Sequence, residues 1–271
     1  MKLEPFFARH PVFRREEIIE FMSAQGQKNK NTQKELISYH LKSGKIVHIR
    51  RGFFAVIPSS FDPKKFLIDP YLIAGRVKKE AVIAYHAALS FYGYAYSSFS
   101  KFHFFTHRTV APFDFQGSIY HPISFPRVLS LAGKESFIVN LEDRMGLDIK
   151  VTSLECTLVD CLDKPQLAGG WEETWRSLEG LSYINLEKVF EYLLLLDNAS
   201  LIAKTGFFLE QNREHFNIDE SYLDRLHQKI PKQKQYLERS KKEPGVLIKR
   251  WNLIIPHYIL SKGWEELHDL I

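Results

Sequence analysis

The sequence has few cysteines and no long apolar run. Only two cysteines, Cys156 and Cys161, occur among the 271 residues. If their segment is helical, a spacing of five positions points the side chains to different faces, so a disulfide is not expected. The densest apolar run, residues 192–196, is far shorter than the roughly 20 residues of a membrane-spanning helix. The first residues, with Glu4 and Pro5, do not show a signal-peptide pattern. We therefore expect a reduced cytoplasmic protein that does not enter a membrane.

The sequence also lacks the motifs of several enzyme classes. The paired glycines Gly169-Gly170 are accompanied by neither the Lys nor the Ser/Thr of a phosphate-binding loop. No Ser/His/Asp or Cys/His order is present that would indicate a nucleophile with its base. Glu155, Asp160 and Asp163 fall on one predicted helix, but a capping box (Thr152 to Glu155) explains Glu155, and no nucleophile accompanies the others. We expect no catalytic residues, no metal site and no cofactor.

Positive charge is concentrated in two segments of the chain. The whole sequence has a net charge of +5, with 45% apolar and 25% charged residues, which is typical of a globular protein. Residues 1–60 contain eleven Lys/Arg and five Asp/Glu, and residues 225–250 contain nine and two. Such asymmetry indicates contact with nucleic acid. The second block has several possible interpretations, which remain open. It could contact DNA that flanks the binding site, RNA or an acidic partner, or it could be an exposed lysine-rich loop that binds nothing.

Turn-forming residues at 58–63 predict a boundary between two domains. We predict an N-terminal domain over residues 1–60 and a larger domain over residues 61–271. In the second domain, predicted helices, one of them over residues 81–92, and short strands, two of them at residues 135–140 and 246–255, do not alternate regularly. This pattern favours an α+β class over a doubly wound α/β fold.

Residues 1–60 have the pattern of a winged helix-turn-helix. Helices are predicted over residues 2–9, 14–24 and 32–43, the last opened by a capping box from Thr32 to Glu35. Strands are predicted over residues 46–50 and 53–57. They are joined at Arg51-Gly52, where glycine permits the positive φ of a hairpin tip. Residues 27–51 contain seven Lys/Arg and one acid, so we expect DNA contacts from this window. The Lys/Arg residues are Lys28, Lys30, Lys34, Lys42, Lys45, Arg50 and Arg51. Tyr39 and His40 are expected to pack rather than to read bases.

Three segments resemble the AbiEi-type antitoxins of bacterial toxin–antitoxin and abortive-infection systems. They are LKSGKIVHIRRGFFAVIP at residues 41–58, AYHAALSFYGY at residues 84–94, and VTSLECTLVDCLDKPQLAGG at residues 151–170. The first looks like the end of that family's recognition helix and its wing. The third has the family's Ser/Thr-x-Glu-x-Thr helix, followed by a proline and a Leu-Ala-Gly-Gly turn.

The resemblance implies two linked roles without catalysis. The winged helix would bind inverted repeats upstream of its own operon and repress it. The C-terminal domain would counteract a nucleotidyltransferase-like toxin without forming a stable complex with it. The resemblance assigns DNA contacts to Gln33, Lys34, Ser38 and Lys42 in the recognition helix, and to His48, Arg50 and Arg51 in the wing.

Two other functions are compatible with the sequence. His103, His107 and His121 lie in a strand-rich stretch and could hold a metal in a DNA-targeted nuclease, although no acid or cysteine completes a recognisable ligand set. Alternatively, the chain could be a winged-helix regulator that senses a small molecule. The aromatic residues between positions 91 and 115 could then line a pocket, although core packing explains them more simply.

Overall fold

The computed structural model describes residues 3–63, 65–107, 110–238 and 244–264 of the chain. The helices are α1 (Glu4–Arg9), α2 (Arg15–Ala24), α3 (Lys30–Lys42), α4 (Pro70–Arg76), α5 (His86–Phe91), α6 (Arg127–Ala132), α7 (Leu154–Asp163), α8 (Trp171–Glu179), α9 (Leu186–Leu196), α10 (Ala199–Gln211), α11 (Glu220–His227) and α12 (His257–Leu260). The strands are β1 (Val12–Arg14), β2 (Ile46–Arg50), β3 (Phe53–Val56), β4 (Val82–Ile83), β5 (Lys101–Thr106), β6 (Phe113–Phe115), β7 (Ser118–Ser124), β8 (Val139–Arg144), β9 (Leu147–Thr152), β10 (Gln235–Tyr236), β11 (Gly245–Ile248) and β12 (Leu253–Pro256). The predicted α+β class is confirmed.

The chain divides into two compact units, and neither is continuous in sequence. The first contains residues 1–83, 99–124 and 139–151, and the second contains residues 84–98, 125–138 and 152–271. The predicted boundary after residue 60 does not coincide with this division, because residues 61–83 and two later segments group with the first sixty. A separate domain over residues 1–60 therefore stays a prediction.

The first sixty residues enclose an apolar core beside a three-stranded sheet. The strand order is β1-β3-β2, and both pairings are antiparallel. The sequence pattern does not predict β1, because three residues are too few to show alternation. The core side chains are Leu3, Phe6, Phe7, Phe13, Ile18, Met22, Ile37, Ile46 and Phe54. The order of elements matches a winged helix-turn-helix, an identification that stays a prediction.

A six-stranded mixed sheet lies in the same unit. Its order is β6-β7-β5-β4-β9-β8, with β5 and β7 parallel. The connections at Gln116-Gly117 and Met145-Gly146 have φ values of 47°, 78°, 55° and 77°, so both central residues of each turn are in the left-handed region. A type I′ hairpin turn requires that conformation, and glycine adopts it without strain.

The second unit is mainly helical and encloses buried polar pairs. In it, α7 packs against α9 and α10, and a small sheet has the order β10-β12-β11. Asp160 is buried and accepts a 2.8 Å hydrogen bond from the Tyr192 hydroxyl. The Nε2 atom of His86 lies 3.1 Å from the Glu173 carboxylate. Burial lowers the pKa of His86, although Glu173 favours its charged form.

Three predicted elements are wrong. The helix predicted over residues 81–92 is interrupted, because residues 82–83 pair as β4 and Tyr85 has a φ of 57°. The strand predicted at 135–140 begins as a 3₁₀ turn and becomes extended only at residue 139. The strand predicted at 246–255 is two antiparallel strands, separated by a short 3₁₀ helix. In the first case pairing between distant segments sets the bounds, because residues 82–83 pair with β5 and β9, and local periodicity does not show such pairing.

The capping box predicted from Thr152 to Glu155 is also wrong. Ser153 caps α7 by accepting a hydrogen bond from the Cys156 N–H at 3.4 Å. Glu155 instead accepts a hydrogen bond from the N–H of Asn185, at 3.2 Å. It therefore supports the start of α9 rather than its own helix.

The rare cysteines and the densest apolar run both lie in helices of the second unit. Cys156 and Cys161 are free and buried in α7, and burial raises the pKa of both thiols. Residues 192–196 belong to α9, where Tyr192 and Leu193 are buried. Among the residues that the structure describes, no helix is both long and apolar enough to span a membrane.

Candidate nucleic-acid interface

Helix α3 begins two residues earlier than predicted, and Asn29 caps it. The Asn29 side-chain oxygen accepts hydrogen bonds from the N–H groups of Asn31, at 2.9 Å, and Thr32, at 3.2 Å. The predicted capping box from Thr32 to Glu35 is therefore wrong, because both residues already lie inside the helix. Asparagine caps a helix at least as well as threonine. The turn between α2 and α3 shortens to residues 25–29.

Gln33, predicted to contact DNA, is buried on the inner face of α3. Its side chain is 4% exposed, and its amide donates to the Ser23 hydroxyl at 3.0 Å and to the Gln27 carbonyl at 2.7 Å. These bonds fix the start of α3 against the end of α2. The structure therefore contradicts an outward role for Gln33 and gives it a positioning role within the helix pair.

The outer face of α3 presents a row of cations. Lys30, Lys34 and Lys42, hereafter the lysine row, are exposed, and Ser38 is half-buried between the last two. Within the described parts of the chain, none of these lysines forms an ion pair. A rise of about 1.5 Å per residue spreads the row over roughly 18 Å. The row therefore offers several positive charges without internal partners.

Tyr39 and His40 are adjacent but have opposite environments. The His40 ring packs on Phe7, with 5.0 Å between ring centroids, and burial lowers its pKa. Tyr39 is 65% exposed and lies on the outer side of α3. The expectation that both residues pack is therefore wrong for Tyr39. The sequence signal for its exposure is its position opposite the apolar stripe that contains Ile37.

The hairpin tip, Arg51-Gly52, is held against the start of α2. Gly52 has a φ of 75°, and its carbonyl accepts a 2.8 Å hydrogen bond from the Arg15 N–H. Arg51 is exposed at the tip. His48, on the preceding strand, is also exposed, and its ring meets that of Phe54 edge-on at 5.4 Å.

Arg50 does not share the exposure of Arg51. A bulge between His48 and Arg50 redirects its side chain. Its guanidinium lies over the Phe113 ring, 4.8 Å from the centroid, and makes a long 3.5 Å contact with the Ala111 carbonyl. Burial lowers its pKa. The prediction that Arg50 is a free cation of the wing is therefore wrong, because it is half-buried against β6.

The remaining basic residues of the window lie on either side of α3. Lys28 is exposed in the turn before α3. Lys45 is half-buried at the base of the β2–β3 hairpin, where its ammonium donates to the Ser59 hydroxyl at 3.0 Å. The structure thus places Lys28 and the lysine row along α3 and its preceding turn. It places Lys45 at the base of the hairpin, whereas Arg51 lies at its tip.

Part of the N-terminal positive charge is neutralised internally. Glu17 accepts hydrogen bonds from both the backbone N–H and the guanidinium of Arg14, each at 2.6 Å, and it also pairs with Arg76. The Arg14 guanidinium donates in turn to the Arg76 carbonyl at 2.9 Å. This network joins α2 to α4 and leaves neither arginine available to a ligand.

The second basic block is neutralised at its two arginines where the structure describes it. Arg225 forms a two-point ion pair with Glu187, at 2.5 and 2.8 Å. Arg250 pairs with Glu210, Glu220 and Asp224. Lys229, Lys232 and Lys234 are exposed. Residues 239–242, which contribute Arg239, Lys241 and Lys242 to this block, lie outside the described residues.

Two of the three histidines proposed for the metal site lie in the sheet of the first unit, and His107 follows the end of β5. His103 and His121 are direct neighbours on the parallel strands β5 and β7, with ring centroids 5.6 Å apart. In the described ranges, no group of three or more His, Cys, Asp or Glu side chains could hold a metal ion. Of the aromatic residues between positions 91 and 115, Phe102, Phe104 and Phe105 belong to β5 and are buried.

Comparison with solved structures shows a shared fold. The chain is similar to the RV2827C protein from Mycobacterium tuberculosis, whose crystal structure it matches with a TM-score of 0.61 and 14% sequence identity. The match covers 97% of this chain and 92% of that one. No protein-family model and no curated protein matches the chain.

Proposed function

We propose that this chain binds double-stranded DNA through α3 and the hairpin tip, as a winged helix-turn-helix repressor. The observation that carries the proposal is the lysine row together with Arg51. All four side chains are exposed, and none has an ion partner within the part of the chain that the structure describes. Cations of this kind bind phosphates by releasing the counterions that surround DNA.

The geometry of the two elements suits a duplex. An α-helix with its side chains is about 10–12 Å wide, and the major groove is about 12 Å wide, so α3 can enter it. Ser38 and the exposed Tyr39 lie among the lysines and would face the base edges. Arg51 at the tip would reach the adjacent phosphates or the minor groove.

We further propose that the chain represses its own operon in the cytoplasm and acts as an antitoxin. This part rests on the resemblance of residues 41–58, 84–94 and 151–170 to AbiEi-type antitoxins. The partner would be a nucleotidyltransferase-like toxin, opposed without a stable complex. Operators with inverted repeats would seat two copies of the chain, one for each half-site. Neither role requires a catalytic step in this chain.

Arg50→Ala and Arg51→Ala are expected to have different effects. Arg51→Ala should weaken binding to all DNA sequences and lower the slope of log K against log salt by about 1, because one phosphate contact is lost. Arg50→Ala should instead lower the free energy of unfolding by about 1 kcal/mol, because its stacking on Phe113 is lost. Fluorescence anisotropy at several salt concentrations and urea unfolding measure the two effects.

The pair is its own control, since both variants remove one arginine from the same hairpin. An Arg51→Ala protein with the salt slope of the wild type would contradict the assignment of the tip. An Arg50→Ala protein that keeps its stability but loses DNA affinity would exchange the two roles.

Co-expression tests the antitoxin role separately. The full chain is expected to restore growth when it is co-expressed with a nucleotidyltransferase-like toxin encoded beside it, and the Arg51→Ala variant should restore growth equally. The physical reason is that neutralisation is assigned to the C-terminal domain rather than to the DNA-binding face. Failure of both proteins to restore growth would refute the antitoxin role and leave the DNA-binding proposal intact.

A further inference from the structure

A cavity of about 740 Å³ opens in the first unit beside the base of the β2–β3 hairpin. Its walls come from α1, from the residues that flank the hairpin, and from residues 66–72. We name it the hairpin cavity. Its volume is in the range of about 300–1,000 Å³ that is usual for small-molecule sites.

The walls of the hairpin cavity are mainly apolar. Phe7, Ile68 and Leu72 line it and are buried within the protein. Leu67 and Met145 also line it, yet they are 77% and 62% exposed. Large apolar side chains left open to water around a concave surface are typical of a binding site, because a ligand covers them.

One wall is fixed by a side chain from the β6–β7 turn. The Gln116 amide donates to the Phe66 carbonyl at 2.7 Å, and its oxygen accepts from the Ile68 N–H at 2.9 Å. This two-point clamp holds residues 66–68 in place before any ligand arrives. A site that is already formed loses less conformational entropy on binding.

The polar groups at the cavity favour an anion. Lys45 is half-buried, donates to the Ser59 hydroxyl at 3.0 Å, and has no ion partner among the described residues. The Asp69 carboxylate is already paired with Arg144 at 2.7 Å and also caps α4. Glu4 is exposed, so solvent screens its charge. Lys45 is therefore the charge least satisfied by the protein itself.

We infer that the hairpin cavity binds a small amphipathic molecule with an aromatic or branched apolar body and one anionic group. The apolar body lies against Phe7, Ile68 and Leu72. The anionic group meets the Lys45 ammonium, with the Ser59 hydroxyl as a second donor. A charge-assisted hydrogen bond of this kind orients the ligand, while the apolar walls supply most of the affinity.

The cavity is one contact away from both elements of the proposed DNA interface. Phe7 packs on His40 of α3, Lys45 precedes β2, and Val56 is the last residue of β3. The Ile57 N–H donates to the Lys45 carbonyl at 2.9 Å and closes the hairpin base. If binding of the molecule moves α1 or the base of the hairpin, it would change the affinity for DNA, and DNA would change the affinity for the molecule by the same factor. This consequence rests on the proposed DNA binding.

Two fluorescent probes with similar aromatic bodies test the site on the full chain without DNA. The first, 1-anilinonaphthalene-8-sulfonate, carries an anion, and the second, N-phenyl-1-naphthylamine, is neutral. Ala8 is exposed and lines the cavity, so a tryptophan at this position should fill it. We expect Ala8→Trp to lower the affinity for both probes at least about tenfold. Lys45→Met should lower the affinity for the anionic probe about three- to tenfold and keep the affinity for the neutral probe within about twofold of the wild-type value. Ala24→Trp, at the exposed end of α2, is the matched control and should change neither.

Each other outcome overturns the inference. If the wild type binds neither probe, or if Ala8→Trp binds both as tightly as the wild type, the cavity is not the site. If Lys45→Met affects both probes equally, or affects neither, the anion assignment is wrong. Lys45→Met leaves the apolar walls unchanged and therefore still tests the site if Ala8→Trp fails to fold, which its melting curve shows. Because DNA is absent, failure of the proposed DNA binding leaves these results unaffected.

Discussion

Replacing Lys30, Lys34 and Lys42 together by glutamine is expected to weaken DNA binding about a hundredfold near physiological salt. Each exposed lysine neutralises about one phosphate, so the slope of log K against log salt should fall by about 2–3. Glutamine keeps the helix propensity of lysine. The three side chains are exposed, and no ion pair involves them in the described residues. The loss should therefore appear in binding and not in the melting temperature.

The second basic block supplies a control with the same change in charge. Lys229, Lys232 and Lys234 are also exposed, and their replacement by glutamine removes three positive charges as well. We expect this variant to keep its DNA affinity within about threefold, because only long-range attraction changes. Equal losses in the two triple variants would mean that overall charge, and not α3, holds the DNA. Titration of labelled duplex at several salt concentrations distinguishes the outcomes.

Asp160→Asn is expected to stabilise the protein at pH 8 by about 3–4 kcal/mol and to leave its stability near pH 4 almost unchanged. Burial raises the pKa of Asp160 from 3.8 to about 7, although the Tyr192 hydroxyl opposes this by donating to the carboxylate. The folded wild type must therefore hold a buried charge above pH 7. Asparagine has nearly the same shape and never ionises.

The direction in which stability changes with pH follows from the protons bound by the folded and unfolded states. Between pH 4 and 7 the folded protein holds a proton on Asp160 that the unfolded chain has released, so the stability due to this group falls as pH rises. His86 acts in the opposite direction. Burial lowers its pKa, so its contribution is present above the unfolded value near 6.5 and is lost as pH falls. The wild-type curve mixes the two effects, and the difference between variant and wild type isolates Asp160.

Tyr192→Phe should have the opposite effect to Asp160→Asn. It removes the hydroxyl that donates to the carboxylate at 2.8 Å, so the pKa of Asp160 rises further and the protein loses stability at pH 8. Urea unfolding at pH 4 and pH 8 measures both variants. If the Asp160→Asn protein were less stable than the wild type at pH 8, the ionised carboxylate would stabilise the fold. The interpretation of Asp160 as a buried, destabilising charge would then be wrong.

The helices and the hairpin of the candidate interface are predictable from the sequence because their signals are local. An apolar stripe with Ile18 and Met22 predicts α2, and Arg51-Gly52 between two β-branched or aromatic runs predicts the hairpin. Local patterns also mislead. Thr32 with Glu35 satisfies the capping-box rule, yet Asn29 lies nearer to the end of α2 and begins the helix first. Two adjacent cap signals differ too little in energy for the sequence alone to choose between them.

Side-chain environments in the interface required the tertiary fold. Gln33 and Lys34 are adjacent polar residues, but Gln33 is buried by its contacts with the end of α2 and the following turn, whereas Lys34 is exposed. Arg50 and Arg51 look equivalent in sequence. A bulge in β2 and the position of Phe113, 63 residues after Arg50, separate the packed arginine from the exposed one. No local rule contains either contact, because each depends on chain segments that are distant in sequence.

The sequence by itself determined the α+β class, most of the helices and strands, and the concentration of positive charge in residues 27–51. These properties depend on periodicity and composition, which any short window displays. Only the tertiary structure decided which of those charges are free, where the hairpin cavity lies, and that Asp160 is buried. Burial and pairing are relations between distant residues, and they exist only once the chain has folded.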